Sequence, residues 1–195
     1  MGRRAIKNLE EKILQEVIRL TNKKGLESLL TREVANNLKI SEPTIFSHFK
    51  TKYNLLINAF LEAHSLINFD PCLPLNREPE EYEKGLAKFK EQLERMKDNM
   101  EPLSYIVQYL SSPYFAENTI EQANGMFRSK INEVLRNLEI ELTLEKQNHI
   151  SLLYLNALAF VTNILLKAEN LIDDKIKRDY NFLIGGFISF VEQAA

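Results

Sequence analysis

The chain has 195 residues, 45% hydrophobic and 9% aromatic, which is enough apolar material for one domain or for a small domain joined to a larger one. Its single cysteine, Cys72, excludes an intrachain disulfide framework, and its net charge of -2 with a pI near 6.0 excludes a uniformly basic nucleic-acid protein. The average conceals a split in sign: residues 1–65 carry eleven cations against seven anions, a net +4, which leaves -6 for the remainder and suggests a basic end that meets a polyanion.

Taken in chain order, the opening MGRRAIKNLEEK has charge but no apolar h-region, and Gly2 is followed by Ile6 where a myristoylation signal requires Ser or Thr. Helical spacing then recurs from end to end, with no long alternation of apolar and polar residues, so an all-α fold of about nine helices is expected. Helix one runs from about Ala5 to Lys24, with Ile6, Leu9, Ile13, Leu14, Val17, Ile18 and Thr21 on one stripe and Gly25 placed to end it. Thr31 is expected to cap helix two, which carries Val34, Ala35 and Leu38. Ser41 caps helix three, where Pro43 is tolerated in the first turn, and Thr51 opens helix four. Three prolines in NFDPCLPLNREPEE, Asn68 to Glu81, place a junction between a small N-terminal unit and a larger C-terminal one. The larger unit reads as five helices, the third of them opened by the capping box Thr119 and Gln122. The most apolar run, ISLLYLNALAFVTNILL, is interrupted by Tyr154, Asn156, Thr162 and Asn163 and falls short of a membrane span. A cytoplasmic protein with no membrane partner is the expectation.

On a wheel of about 100° per residue, Ile45, Phe46 and Phe49 fall on one side of helix three, and Pro43, Thr44, Ser47 and His48 fall opposite. So short a helix is held by packing, which leaves its second face free. That face offers hydroxyls, an imidazole and a proline ring that suits a thymine methyl, flanked by Lys39, Lys50 and Lys52 as phosphate partners. Two helices joined by a three- or four-residue turn, the second presented outward, form the helix-turn-helix arrangement for the major groove. A plain packed helix pair gives the same wheel.

The stretch GLESLLTREVANNLKISEPTIFSHFKTKYNLLINAF resembles the DNA-binding domain of the TetR family of transcriptional regulators. Gly25, Thr31, Ala35, Ser41, Thr44, Phe46, His48, Phe49, Lys52 and Leu55 fall in register with the family pattern. Two positions depart from it: Lys39 stands where a turn glycine is usual, and Phe46 where a tyrosine would supply a phosphate hydrogen bond. The resemblance implies a helix-turn-helix domain over 1–52, a linking helix over 52–67 and a ligand-binding and dimerisation domain over 68–195. It implies a ligand-responsive repressor that binds a palindromic double-stranded DNA operator as a dimer, through Thr31, Arg32, Lys39, Ser41, Pro43, Thr44, Phe46, Ser47, His48, Lys50 and Lys52. A helical interaction protein of the same fold that has lost operator binding is the alternative.

By the same resemblance the last two helices pair with their copies in a homodimer, with Leu165, Phe182, Gly185, Gly186, Phe187 and Phe190 at the interface. The sequence is consistent with this, because two mid-helix glycines each cost about 1 kcal/mol relative to alanine unless close approach of another helix recovers it, and that helix belongs either to the partner or to the same subunit. Met100, Tyr105, Tyr109 and Phe127, with Asn156 and Asn163 as polar anchors, are candidates to line a pocket for a small apolar or aromatic ligand. The same stripe is also what ordinary core packing looks like. No catalytic residues, cofactor or metal site are expected: His48, His64 and His149 are scattered, and neither metal-binding spacings nor a Gly-rich phosphate loop occurs.

Overall fold

The computed structural model describes residues 3–70, 72, 78–115, 144–167 and 172–194, and every regular element among them is an α-helix. α1 (Arg3–Lys24) buries Ile13, Val17, Ile18, Leu20 and Thr21 on one stripe, each apolar member contributing about 1.5–3 kcal/mol by leaving water. It ends where expected: Gly25 takes φ 86°, and its N–H donates to Thr21 O at 2.8 Å.

α2 (Thr31–Leu38) buries Val34 and Ala35, and α3 (Glu42–Phe49) buries Ile45 and Phe49. Phe46, expected on the buried side, is only half-buried. Lys39 closes α2 in the left-handed region, φ 55°, with its N–H on Asn36 O at 3.1 Å and the Ile40 N–H on Ala35 O at 3.0 Å. Those two bonds form a Schellman motif, so a lysine occupies the position where glycine is usual. Ser41 caps α3 as expected, accepting from the Thr44 N–H at 3.2 Å, with Pro43 in the first turn. The expected cap on α2 is not found. Thr31 is instead the first helical residue, preceded by Leu30 with no side-chain cap, and its hydroxyl donates across to Glu42 Oε1.

Thr51 caps α4 (Lys52–Ile67), accepting from the Asn54 N–H at 3.0 Å. α4 buries Leu55, Leu56, Ala59, Phe60 and Ala63 and packs on α1 and on α6 (Met100–Leu110), which follows α5 (Pro79–Lys97) in the chain. Tyr105 and Tyr109 of α6 are wholly buried: the Tyr105 hydroxyl donates to Leu56 O at 2.8 Å, and the Tyr109 ring stacks on Phe60 at 5.0 Å. Burial raises the Tyr105 pKa well above the usual phenol value, so the hydroxyl remains a donor. Asn22 Nδ2, on Glu101 O at 2.8 Å, and Gln108 Oε1, accepting from the Leu26 N–H at 3.1 Å, fasten α6 to α1 and the loop after it.

The described residues thus fall into two compact units, one within Met1–Asn68 and Asn99–Ala116, the other within Phe69–Asp98 and Glu117–Ala195. The sequence places α6 with the C-terminal helices, whereas its buried tyrosines attach it to α4 and its bonds with Asn22 and Leu26 attach it to α1 and the loop after it. The second unit packs α5 with α7 (Leu144–Lys167) and α8 (Asp173–Ala194), which correspond to the eighth and ninth expected helices. The expected seventh helix, 120–141, and the capping box at Thr119 and Gln122 lie outside the described residues.

Three buried side chains of the second unit, each from a different helix, hold the short segment that follows α4. Tyr154 of α7 donates to Phe69 O at 2.6 Å, and Tyr180 of α8 donates to Cys72 O at 2.6 Å. Gln92 of α5 both accepts from the Asp70 N–H and donates to Asp70 O, each at 2.7 Å. Burying an amide and two hydroxyls is unfavourable unless all are paired, so the segment and its clamps stand or fall together. Gly85 is the residue that admits Tyr180, because a Cβ there lies 1.9 Å from its Oη and 2.7 Å from Cys72 O.

Candidate nucleic-acid interface

The outward side of α3 is built from its N-terminus. Ser41, Pro43 and Ser47 are exposed, and Ser41 Oγ lies 2.7 Å from Thr44 Oγ1, so the two hydroxyls form one polar patch at the helix start. Ser47 Oγ donates to Thr44 O at 2.7 Å. Arg32, Lys39 and Lys50 are exposed around this patch, a spacing of cations that suits phosphates on either side of a groove. α2, on which α3 packs, is tied to α1: Asn37 of α2 donates to Glu16 Oε1 of α1 at 2.7 Å, and Arg19 holds the same carboxylate at 2.7 Å. The Arg19 hydrogen bond lowers the Glu16 pKa against a smaller opposing effect of burial. The contribution of this link is therefore present above the ordinary carboxylate range and is lost as pH falls through the depressed value.

Three of the expected contacts are less free than the wheel suggests. The His48 side chain is 16% exposed, and its Nδ1 donates to Glu10 Oε1 at 2.9 Å, tying α3 to α1. Lys52 Nζ donates to Leu29 O at 2.8 Å and lies 5.7 Å from the centroid of the Tyr114 ring, which leaves two of its three N–H donors for a phosphate. The Thr31 hydroxyl proton is used by Glu42, so what Thr31 offers a phosphate is its backbone N–H in the first turn of α2. Glu42 and Glu10 are the residues that the sequence reading passed over. Glu10 is 38 positions from His48, and no local pattern signals the pair.

Lys39 carries a testable trade. Lys39→Gly is expected to raise stability by about 0.5–1 kcal/mol in thermal or urea denaturation, since glycine relieves the left-handed backbone, and to weaken DNA binding to all sequences alike. An unchanged or lowered stability contradicts the strain at φ 55°.

The described residues among those expected to line a ligand pocket divide between the two units. Tyr105 and Tyr109 are core of the first unit, and Met100 is exposed at the start of α6. Asn163 Nδ2 donates to its own helix at Ala159 O, 2.9 Å, while Asn156 is exposed on α7. Phe127 lies outside the described residues. Asn156 instead borders an open apolar hollow of about 460 Å³ on α7 and α8, lined also by Leu153, Phe160, Phe182, Gly185, Gly186 and Phe187. Of the residues expected at a dimer interface, Phe182 is 69% exposed and both glycines are exposed, whereas Leu165 and Phe187 are buried within their own subunit. The Phe190 side chain lies outside the described residues. Among the described residues, no helix is long and apolar enough to cross a membrane, and no cluster of three His, Cys, Asp or Glu is placed to hold a metal ion.

Fold and surface together define a helix-turn-helix unit within an all-α arrangement of the described residues. Residues 13–59 match the family model described as bacterial regulatory proteins, tetR family. The N-terminal region is 34% identical over 64 residues to the tetracycline repressor protein class C of Escherichia coli, and 40% identical over 55 residues to the uncharacterized HTH-type transcriptional regulator YvkB of Bacillus subtilis strain 168. These alignments cover 33% and 28% of this chain and 29% of each relative. A TetR family transcription regulator from Marinobacter aquaeolei VT8 shares the fold with TM-score 0.63 over 94% of this chain and 97% of that one, at 13% identity. The similarity to the TetR family of transcriptional regulators is thus carried by the helix-turn-helix segment, residues 13–59, about a quarter of the chain.

Proposed function

We propose that the protein is a ligand-responsive repressor that binds a near-palindromic DNA operator as a homodimer, each subunit placing α3 in a major groove. The observation that carries this reading is the side of α3 that packing leaves outward, with Ser41, Pro43, Thr44 and Ser47 set between Arg32, Lys39 and Lys50. One helix of eight residues offers few base contacts, so a second copy is needed for specific affinity. The exposed Phe182 and the two glycines beside it on α8 supply a surface for that copy. The repressor role follows the name of the Escherichia coli relative, whose similarity is confined to the N-terminal third of this chain.

Ligand response is assigned to the second unit. α4 runs directly into the segment that Tyr154, Gln92 and Tyr180 hold, so a small apolar molecule that shifts those clamps also shifts α4. Coupling of about 1–3 kcal/mol would lower operator affinity roughly five- to 150-fold, and DNA would weaken ligand binding by the same factor.

Fluorescence anisotropy on operator duplex across a salt series tests the DNA reading. Lys50→Ala and Arg32→Ala are each expected to weaken binding to every sequence and to flatten the slope of log K against log salt by about 0.9. Substitutions at Pro43 or Thr44 are expected instead to change the preference between sequences. Wild-type binding with no salt slope contradicts the proposal.

A further inference from the structure

Glu42 is a carboxylate on a surface otherwise made of cations and hydroxyls. It is the first helical residue of α3 and is half-buried. Thr31 Oγ1 donates to its Oε1, and among the described residues no other side chain bonds it. The carboxylate is thus held at the point where the N-termini of α2 and α3 meet, beside Ser41 and Pro43, with Oε2 available.

Chemistry narrows what such a group can meet. An ionised carboxylate only accepts hydrogen bonds, so phosphate oxygens repel it. In the major groove guanine presents N7 and O6 and thymine O4, all acceptors, which repel it as well. Adenine offers its N6 amino group but sets the N7 acceptor beside it. Cytosine alone presents a donor, the N4 amino group, with no acceptor of its own on that edge. The N-terminal residues of a recognition helix are the ones that approach base edges.

We infer that Glu42 determines specificity by reading one cytosine in each operator half-site, accepting from its N4 amino group, and that Thr31 positions the carboxylate. This rests on the proposal that α3 enters the major groove. A carboxylate in the first turn also favours the helix dipole and links α2 to α3, but neither effect selects a base.

Selection from a random duplex library, with wild-type, Glu42→Gln and Glu42→Ala proteins whose thermal melts are recorded alongside, separates the roles. The wild type is expected to enrich an inverted repeat with cytosine at one symmetric position. Glu42→Gln retains an acceptor for Thr31 and is expected to move that position to adenine, by accepting from N6 and donating to N7. Glu42→Ala is expected to lose preference there and keep the rest of the site. The change at that base pair should be roughly five- to 150-fold, the range that one mismatch spans. A Gln variant with the wild-type preference at every position overturns the inference and leaves the DNA-binding reading intact. A wild type that enriches no sequence overturns both.

Discussion

Gly85→Ala is expected to destabilise the protein by about 2–4 kcal/mol, combining overpacking with a lost buried hydrogen bond, and to be read as a lowered midpoint in urea. The added methyl would lie 1.9 Å from Tyr180 Oη, 3.2 Å from its Cζ and 2.7 Å from Cys72 O. Tyr180 has little room to yield, because its ring packs between Phe89 at 5.2 Å and Tyr82 at 5.6 Å. Its hydroxyl also satisfies Cys72 O, and burial raises its pKa, so it stays a proton donor. Tyr180→Phe in the Gly85→Ala background removes the shortest clash but not the approach to Cys72 O. The double variant is therefore expected to be less destabilised than the sum of the two single changes. Strict additivity contradicts the placement of Gly85 against Tyr180.

In the proposed homodimer, Gly186→Leu is expected to separate the two copies while leaving each subunit folded. Within the chain, a Cβ at Gly185 or Gly186 meets no atom within 4 Å, so the subunit itself gains helix propensity, about 0.8–1 kcal/mol. Across a two-fold axis each clash occurs twice, and about 1–3 kcal/mol per clash gives about 2–6 kcal/mol, or a roughly thirty- to twenty-thousand-fold weaker dimer. Sedimentation measures this directly. A variant that stays a tight dimer shows that the glycines face away from the two-fold axis.

The parts of this molecule that the sequence made legible are those set by local rules. Gly25, Ser41 and Thr51 end or cap helices where their chemistry predicts, and the pattern of Ile45 and Phe49 gives the buried side of α3. The resemblance in the first third of the chain rests on the same short-range spacing. What the sequence did not reveal depends on contacts distant along the chain. Tyr105 and Tyr109 have the spacing of a pocket wall, yet Leu56 O and Phe60, some fifty residues earlier, make them core. Thr31 has the composition of a cap, but Glu42, eleven residues on, takes its hydroxyl. Gly85 sits inside α5, where a glycine costs about 1 kcal/mol relative to alanine. Its reason, Tyr180, is visible only once α5 and α8 are packed together.

The central claim, that α3 carries sequence-specific DNA binding, is tested most directly by crosslinking the protein to DNA in living cells and sequencing what is recovered. The account predicts a small set of enriched sites that share an inverted repeat, with half-site centres about 34–36 Å apart or at a multiple of that turn, and loss of that enrichment for a protein carrying both Arg32→Ala and Lys50→Ala. Recovery of no sites above an uncrosslinked control, or the same sites with the doubly substituted protein, would contradict it and would favour a helical interaction protein built on the same fold.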